Sequence, residues 1–360
     1  MIHPPFFDTG RSFEENVLHG PFNAFADGEV FLREGEPQHR FLGFPVYLPF
    51  GIPAGPLPTA RFAKAAFEKG FDLPVYKTVR TRELRSHPWP NVLPVEVDGD
   101  LTLEKRDKGL VVADDFREPL AITNSFGVPS SDPSFWQEDM REAVQAAGKG
   151  QVLIASFQGT NRGEGVDAFV GDYVLGARLV KETGAQILEV NYSCPNEGTT
   201  NLLCYDTDRI ERISARIKDE IGNTPLLIKL AYFESQEHLR DMVRRLGKIV
   251  DGFAAINTIG AAVRNKDGSQ ALPGEGRLVS GICGAPIKWA GIDMVQRLKA
   301  LREELGYSYA IVGTGGVTKP EDYAEYRAAG ADAVMSATGA MWNPYLAKET
   351  QEYVKKHGIQ

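Results

Sequence analysis

Short apolar runs alternate with amphipathic segments along most of this chain, and this alternation limits the folds it can adopt. The runs predict eight buried strands, at residues 46–53, 73–79, 152–157, 187–191, 225–230, 253–257, 309–312 and 333–336. The segments between them carry apolar residues at helical spacing, such as Ile210, Ile213, Ile217 and Ile221 ahead of Gly222. Eight strand–helix units predict an α/β fold, a parallel (β/α)8 barrel. A doubly wound open sheet shares the alternation. The count of eight, and a glycine-rich turn after strand seven rather than strand one, favour the barrel.

Two regions depart from this rhythm. Residues 1–44 form an N-terminal extension with weak periodicity, in which residues 13–18 predict one short helix. Residues 45–360 then form a single barrel domain. Within it, residues 80–120 are rich in proline and charge and predict an inserted β-rich loop region after strand two. Its short strands are expected at 93–97, 101–103 and 110–112, covering one end of the barrel.

Local signals place several further boundaries. Thr59 is expected to cap a helix that Gly70 ends, and Thr318 with Glu321 forms a predicted capping box ahead of a helix that Gly330 ends. Residues 260–281 are read as a glycine-rich excursion. The last helix is expected over residues 341–356.

The composition of the 360 residues is that of a soluble globular enzyme, with 42% hydrophobic and 24% charged residues. A formal net charge of −8 without a basic block argues against nucleic-acid binding. No apolar run approaches the roughly 18–20 residues of a membrane span, and the first residues do not resemble a signal peptide, so the cytoplasm is the expected location. The three cysteines and six histidines match no metal-binding pattern, and no metal is expected.

Polar side chains follow the predicted strands at their carboxyl ends, where barrel enzymes place their active groups. The strand at residues 187–191 leads into Asn191, Cys194, Pro195 and Asn196, a segment that could also be a surface turn. Equivalent positions elsewhere carry Lys77, Asn124, Lys229 and Asn257. A buried lysine needs an anionic or acceptor partner, unless it reaches past the strand end into water. Four asparagines could together hold a flat imide ring, although any one alone is more typical of a turn.

Glycines mark the ends of the last two strands. Residues 313–316 read Gly-Thr-Gly-Gly, and Ala337 and Thr338 follow strand eight. Backbone amides there could cradle a phosphate, which barrels commonly bind after strands seven and eight. A plain tight turn is the alternative. A flavin with its phosphate would satisfy both the glycines and the two lysines.

Several blocks of this sequence resemble the dihydroorotate dehydrogenase family of FMN-dependent barrels, over about residues 45–350. The most specific block reads Glu-Val-Asn-Tyr-Ser-Cys-Pro-Asn at residues 189–196. The other blocks lie at residues 76–78, 124–129, 228–230, 256–258, 280–286, 313–317 and 330–340.

The resemblance implies a role for each matched residue. Cys194 would take the C5 proton of dihydroorotate, as in the soluble class of the family, while the C6 hydride passes to N5 of FMN. The substrate would be held by Lys77, Asn124, Phe126, Gly127, Val128, Asn191, Asn196, Asn257 and Thr258. The cofactor would be held by Ala54, Gly55, Lys77, Thr78, Asn124, Lys229, Gly281, Gly315, Gly316, Ala337 and Thr338.

This sequence also departs from the family pattern. Ser130 stands where an asparagine is usual, Ala54 where a serine is common, and both the extension and the insertion are long for the soluble class. A related flavin barrel acting on another cyclic amide or unsaturated acid is therefore an alternative. So are a nucleotide dehydrogenase-like barrel with Cys194 as nucleophile and a non-enzymatic phosphate-binding barrel. The electron acceptor is not predicted, and a homodimer is possible.

Overall fold

The computed structural model describes residues 2–193 and 202–359, and its strands form three sheets. The strands are β1 His39–Phe41, β2 Phe44–Val46, β3 Phe50–Gly51, β4 Val75–Val79, β5 Val92–Pro94, β6 Leu110–Val111, β7 Ala121–Asn124, β8 Ile154–Phe157, β9 Ile187–Asn191, β10 Leu226–Leu230, β11 Gly252–Ala255, β12 Ile259–Arg264, β13 Val279–Gly284, β14 Ala310–Thr314 and β15 Ala333–Met335. The helices are α1 Phe13–His19, α2 Ala60–Glu68, α3 Leu103–Lys108, α4 Pro133–Gln145, α5 Val166–Lys181, α6 Thr207–Ile221, α7 Gln236–Leu246, α8 Lys288–Leu305, α9 Pro320–Ala329, α10 Thr338–Trp342 and α11 Leu346–His357.

The largest sheet is the barrel. Its eight strands run in the order β3-β15-β14-β11-β10-β9-β8-β4, and all neighbouring pairs are parallel. The segments at β3 and β4, the two strands at the ends of this order, are joined by two hydrogen bonds. The Leu73 N–H donates to the Phe50 carbonyl at 3.2 Å, and the Val75 N–H donates to the Ile52 carbonyl at 2.8 Å. This ring of strands with helices between them confirms the predicted (β/α)8 barrel and rules out the open sheet.

A two-stranded hairpin closes the amino end of the barrel. Strands β1 and β2 pair antiparallel, with His39 opposite Val46. Phe41 and Val46 are buried in one cluster with residues near the start of the barrel strands, among them Val75, Ile187 and Leu227. Because this end is filled with hydrocarbon, the opposite, carboxyl end is where a ligand can enter.

A second, five-stranded sheet covers the carboxyl end, in the order β5-β7-β13-β12-β6. The insertion contributes β5 and β6, and the region read as a glycine-rich excursion contributes most of β12 and the first half of β13. The predicted strand at 101–103 is wrong, since α3 begins at Leu103. The Thr102 hydroxyl accepts from the Lys105 N–H, and this cap starts a helix in the charged segment that follows.

Prolines explain two other differences from the predicted elements. Of the expected strand at 46–53, only Val46, the last residue of β2, and the two-residue β3 lie in strands; Pro49 and Pro53, which lack the N–H that a ladder needs, lie on either side of β3. The expected last helix is divided into α10 and α11. Asn343, which ends α10, precedes Pro344, and a residue before proline disfavours the helical conformation.

Two helix caps use different groups from those expected. Thr59 occupies the N-cap of α2, but its hydroxyl makes no capping bond; Asp139 of α4 instead accepts from the Ala60 N–H at 2.7 Å. In α9, Pro320 takes the first helical position, so Asp322 rather than Glu321 reaches back to the Lys319 N–H at 3.1 Å.

The N-terminal extension packs on the barrel through buried aromatic residues. The predicted short helix is confirmed as α1, which Ser12 and Glu15 start with a reciprocal capping box. Phe6 and Phe25 stack with ring centroids 3.8 Å apart, and the Phe6 N–H donates to the Met341 carbonyl. Within residues 2–193 and 202–359, no helix has the length and apolar character that a membrane crossing requires.

Candidate active site

A cavity at the carboxyl end of the barrel, beneath the second sheet, collects the residues that the sequence singles out. Every predicted site residue within the described ranges lines it: Ala54, Gly55, Lys77, Thr78, Asn124, Phe126, Gly127, Val128, Asn191, Lys229, Asn257, Thr258, Gly281, Gly315, Gly316, Ala337 and Thr338. Cys194 and Asn196 lie outside the described residues. The individual roles of these residues stay predictions.

Hydrogen bonds fix two of the asparagines relative to each other. Asn191, the last residue of β9, donates from Nδ2 to Gln158 Oε1 at 2.9 Å. Its Oδ1 accepts from both the N–H and the hydroxyl of Ser193, at 3.1 and 2.9 Å. The Ser193 hydroxyl in turn accepts from Asn257 Nδ2 at 2.9 Å. Ser193 therefore joins the two carboxamides and sets the faces that they turn toward the cavity.

Asn124 and Cys283 enter the cavity from the covering sheet. Asn124 ends β7 opposite Gly281 of β13, and its Nδ2 donates to Cys283 Sγ at 3.0 Å. Burial raises the pKa of the Cys283 thiol to about 12, although Asn124 and Lys229 act in the opposite direction. The thiol is therefore protonated near neutral pH, and a protonated thiol is a poor base.

Lys229 carries a buried ammonium group without a hydrogen-bond acceptor among the described residues. It lies in β10 beside Glu189 of β9, and the two side chains are 6% and 1% exposed. Burial lowers the pKa of Lys229, opposed by the charge of Glu189; burial likewise raises the pKa of Glu189, opposed by Lys229. A buried cation is costly without a partner, so Lys229 is suited to an acceptor that a ligand brings.

Glycines allow the close approach of backbone along the cavity wall. Gly315 and Gly316 have φ of 120° and 71°, which L side chains rarely adopt. A Cβ on Gly316 would lie 2.6 Å from the Lys288 backbone nitrogen, so only glycine fits there. Ala337 and Thr338 line the cavity beside this turn.

The loop at residues 125–128 presents the backbone N–H groups of Phe126, Gly127 and Val128, which have no acceptor among the described residues. Gly127 and Val128 have φ of 79° and 50°, the second being uncommon for a β-branched residue. The Phe126 carbonyl accepts from the His87 N–H at 2.9 Å. None of the N–H groups of residues 126–128 donates to another described residue. Successive unpaired N–H groups in a left-handed turn form a concave site for an anion.

Ser130 and Ala54, the two residues that depart from the family pattern, differ in whether they line the cavity. The Ser130 hydroxyl accepts from the Arg80 N–H at 3.0 Å and donates to the Ser131 carbonyl at 2.9 Å, and Ser130 does not line the cavity. Ala54 does line it. The serine at 130 thus supports the backbone behind the loop, and of the two positions only Ala54 lies on the cavity wall.

Phe7 lines the cavity although sequence reasoning assigned no function to the N-terminal extension. Its ring meets Phe126 edge-on with centroids 5.8 Å apart, and Phe13 of α1 meets the same ring at 6.0 Å. The available signal was the apolar Phe6-Phe7 pair in an otherwise irregular segment. Cys283 was likewise expected only to pack closely among glycines.

Comparison with known proteins agrees with this architecture. The dihydroorotate dehydrogenase family model matches residues 112–356. Dihydroorotate dehydrogenase of Dictyostelium discoideum is 36% identical, over 96% of each chain. The quinone enzyme of Bordetella avium is 30% identical over 53% of this chain and 55% of its own length. The NAD(+) type B catalytic subunit of Maridesulfovibrio salexigens is 30% identical over 49% and 56%.

A solved structure extends the comparison to the fold. The dihydroorotate dehydrogenase of Eimeria tenella, crystallised with ferulenol, superposes with a TM-score of 0.70 over 92% of this chain and 88% of that one, at 20% identity. This superposition supports the barrel fold. The family model covers most of the chain, and the Dictyostelium relative matches nearly all of it. The chain therefore belongs to the dihydroorotate dehydrogenase family of oxidoreductases.

Proposed function

We propose that this chain oxidises dihydroorotate to orotate in pyrimidine biosynthesis, with FMN as its cofactor. The observation that carries the proposal is the match to the Dictyostelium enzyme across 96% of both chains. The cavity supports it, because asparagines, lysines and glycine turns line a single space at the carboxyl end of the barrel.

The residues of the cavity fit a flavin. Lys229 Nζ lacks an acceptor among the described residues, and a flavin ring would supply one. The turn at Gly315 and Gly316, with Thr338 beside it, would hold the phosphate. Gly55 also lines the cavity, and a Cβ built on it has no neighbouring atom within 4 Å, so there is open space for the cofactor beside it. When bound, FMN would accept the substrate's C6 hydride at N5. Lys77 and Lys229 would contact its ring and favour negative charge there.

The substrate would lie between this flavin and the carboxamides. Asn124, Asn191 and Asn257 would hold the ring, and the N–H groups of Phe126 and Gly127 would receive its carboxylate. Asn196 and Thr258 would complete the set. Cys194 would take the C5 proton, since a thiolate is a competent base for a proton beside a carbonyl.

The experiment uses the FMN-loaded protein under anaerobic conditions. Dihydroorotate is expected to bleach the visible flavin absorbance, and dihydrouracil, which lacks the carboxylate, serves as the control. A flavin that dithionite reduces but dihydroorotate does not would contradict the proposal. A panel of fumarate, NAD, a quinone and oxygen would then identify the acceptor. The cytoplasmic location and the homodimer stay predictions.

Ser193→Ala is expected to weaken orotate binding about tenfold, because it leaves Asn191 and Asn257 without their shared partner. FMN affinity should be unchanged. The measurement is titration of the bound flavin's spectrum with orotate. Ser214→Ala is the matched control, since that buried hydroxyl pairs with Tyr192 and does not line the cavity. Equal orotate affinity in both variants would contradict the role of Ser193.

A further inference from the structure

Arg277 is a buried guanidinium whose bonded acceptors are all uncharged. Its side chain is 3% exposed, and it donates to the carbonyls of Pro88 at 2.8 Å, Pro90 at 3.2 Å and Pro273. It also donates to the Ser125 carbonyl at 2.8 Å and to the Ser125 hydroxyl at 3.3 Å. Burial alone lowers its pKa; no acidic group contributes a shift. Within the described residues, no carboxylate pairs with this arginine.

The hydrogen bonds from Arg277 to Ser125 affect the direction of the Phe126 N–H group. In a trans peptide the carbonyl oxygen and the following N–H point to opposite sides. The Ser125 carbonyl accepts from Arg277 at 2.8 Å and from Asn91 Nδ2 at 3.2 Å, so the Phe126 N–H is directed away from both donors. The same argument applies one residue later, because the Phe126 carbonyl accepts from the His87 N–H. The Phe126 and Gly127 N–H groups therefore each point away from the donors that hold the preceding carbonyls, on a loop that lines the cavity.

We propose that Arg277 is a positioning residue for the carboxylate of the substrate. It orients the peptide between Ser125 and Phe126, and it places a positive charge, which no carboxylate among the described residues neutralises, behind the N–H groups that receive the anion. This inference rests on the proposed function, since it takes an anionic substrate as given.

The absence of an acidic partner is what separates this role from simple structural support. A carboxylate beside a buried arginine would cancel its field, and the loop could be held as well by neutral donors. Because all its acceptors among the described residues are uncharged, the charge remains available to a bound anion, and a ligand without a carboxylate gains nothing from it. Arg277 should therefore favour orotate over its carboxylate-free analogue uracil.

The test compares these two ligands on the FMN-loaded protein, through the spectrum of the bound flavin. Arg277→Met is expected to weaken orotate binding at least about tenfold and to leave uracil binding nearly unchanged. Arg277→Lys, which keeps the charge, should retain most of the preference for orotate. Arg33→Met is the control, because Arg33 is also buried but pairs with Asp72 at the amino end of the barrel.

Equal losses for orotate and uracil would assign Arg277 a purely structural role and overturn the proposal, as would unchanged binding of both. If Arg277→Met does not fold, Arg277→Gln decides in the same way, since it keeps N–H donors toward Ser125 without the charge. Bleaching of the wild-type flavin by dihydroorotate is measured first. Its failure would refute the proposed function, whereas a ligand preference unaffected by Arg277 would refute only this inference.

Discussion

Cys194→Ala is expected to slow reduction of bound flavin by dihydroorotate about 10²- to 10⁴-fold while FMN stays bound. A general base typically contributes a factor of this size, and alanine cannot take the C5 proton. The measurement is anaerobic stopped-flow of the flavin absorbance at saturating dihydroorotate, with the FMN content determined on the same sample.

The neighbours of Cys194 support this expectation, although Cys194 itself lies outside the described residues. It follows Ser193, which contacts both Asn191 and Asn257 of the cavity. Beyond the intervening residues, the Cys204 N–H donates to the Tyr192 carbonyl at 2.9 Å. Cys204 therefore lies against Tyr192, the residue that follows β9.

The other cysteines provide matched controls. Cys204 is fully buried and outside the cavity, so Cys204→Ala should leave the flavin reduction rate unchanged. Cys283 lines the cavity, but burial raises its pKa to about 12, and Cys283→Ala should change the rate far less than Cys194→Ala. Rapid reduction in Cys194→Ala together with slow reduction in Cys283→Ala would move the base to Cys283.

The barrel could be predicted because its strands are buried on both faces. Such strands appear as short, almost continuous apolar runs; Leu226–Leu230 is fully buried along its length and interrupted in sequence only by Lys229. The site followed from the same reasoning, since parallel strands in a barrel end at one face. Asn191 ends β9, Asn257 follows β11, and Lys77 and Lys229 lie within two residues of the ends of β4 and β10. All four line one cavity.

The parts that sequence reasoning missed depend on contacts between distant segments. The covering sheet pairs β7 with β13, about 160 residues later in the chain, and no local pattern encodes that pairing. Phe7 and Arg277 contact the same loop, at residues 125–128, from positions far apart in the sequence. A lone arginine in a glycine-rich segment gives no local sign that it will be buried.

Lys229→Met is expected to weaken FMN binding about 30-fold or more. A hydrogen bond that involves a charged group contributes about 1.5–3 kcal/mol, and methionine would remove the contact between the ammonium group at position 229 and the flavin. The measurement is quenching of FMN fluorescence on addition to the apoprotein, which does not depend on turnover. FMN binding equal to that of the wild type would contradict a role for Lys229 at the flavin.

A second variant separates the flavin from Glu189 as the reason for Lys229. Lys229→Met alone leaves the Glu189 carboxylate buried, with an Oε2 that already lacks a hydrogen-bond partner among the described residues. In the double variant Lys229→Met/Glu189→Gln that charge is gone. If Lys229 serves only to neutralise Glu189, the double variant should recover wild-type affinity for FMN. If the ammonium group interacts with the flavin, the folding stability should recover while FMN affinity stays low. We expect the second result, because the Lys229 ammonium lies on the cavity wall whereas Glu189 does not line the cavity.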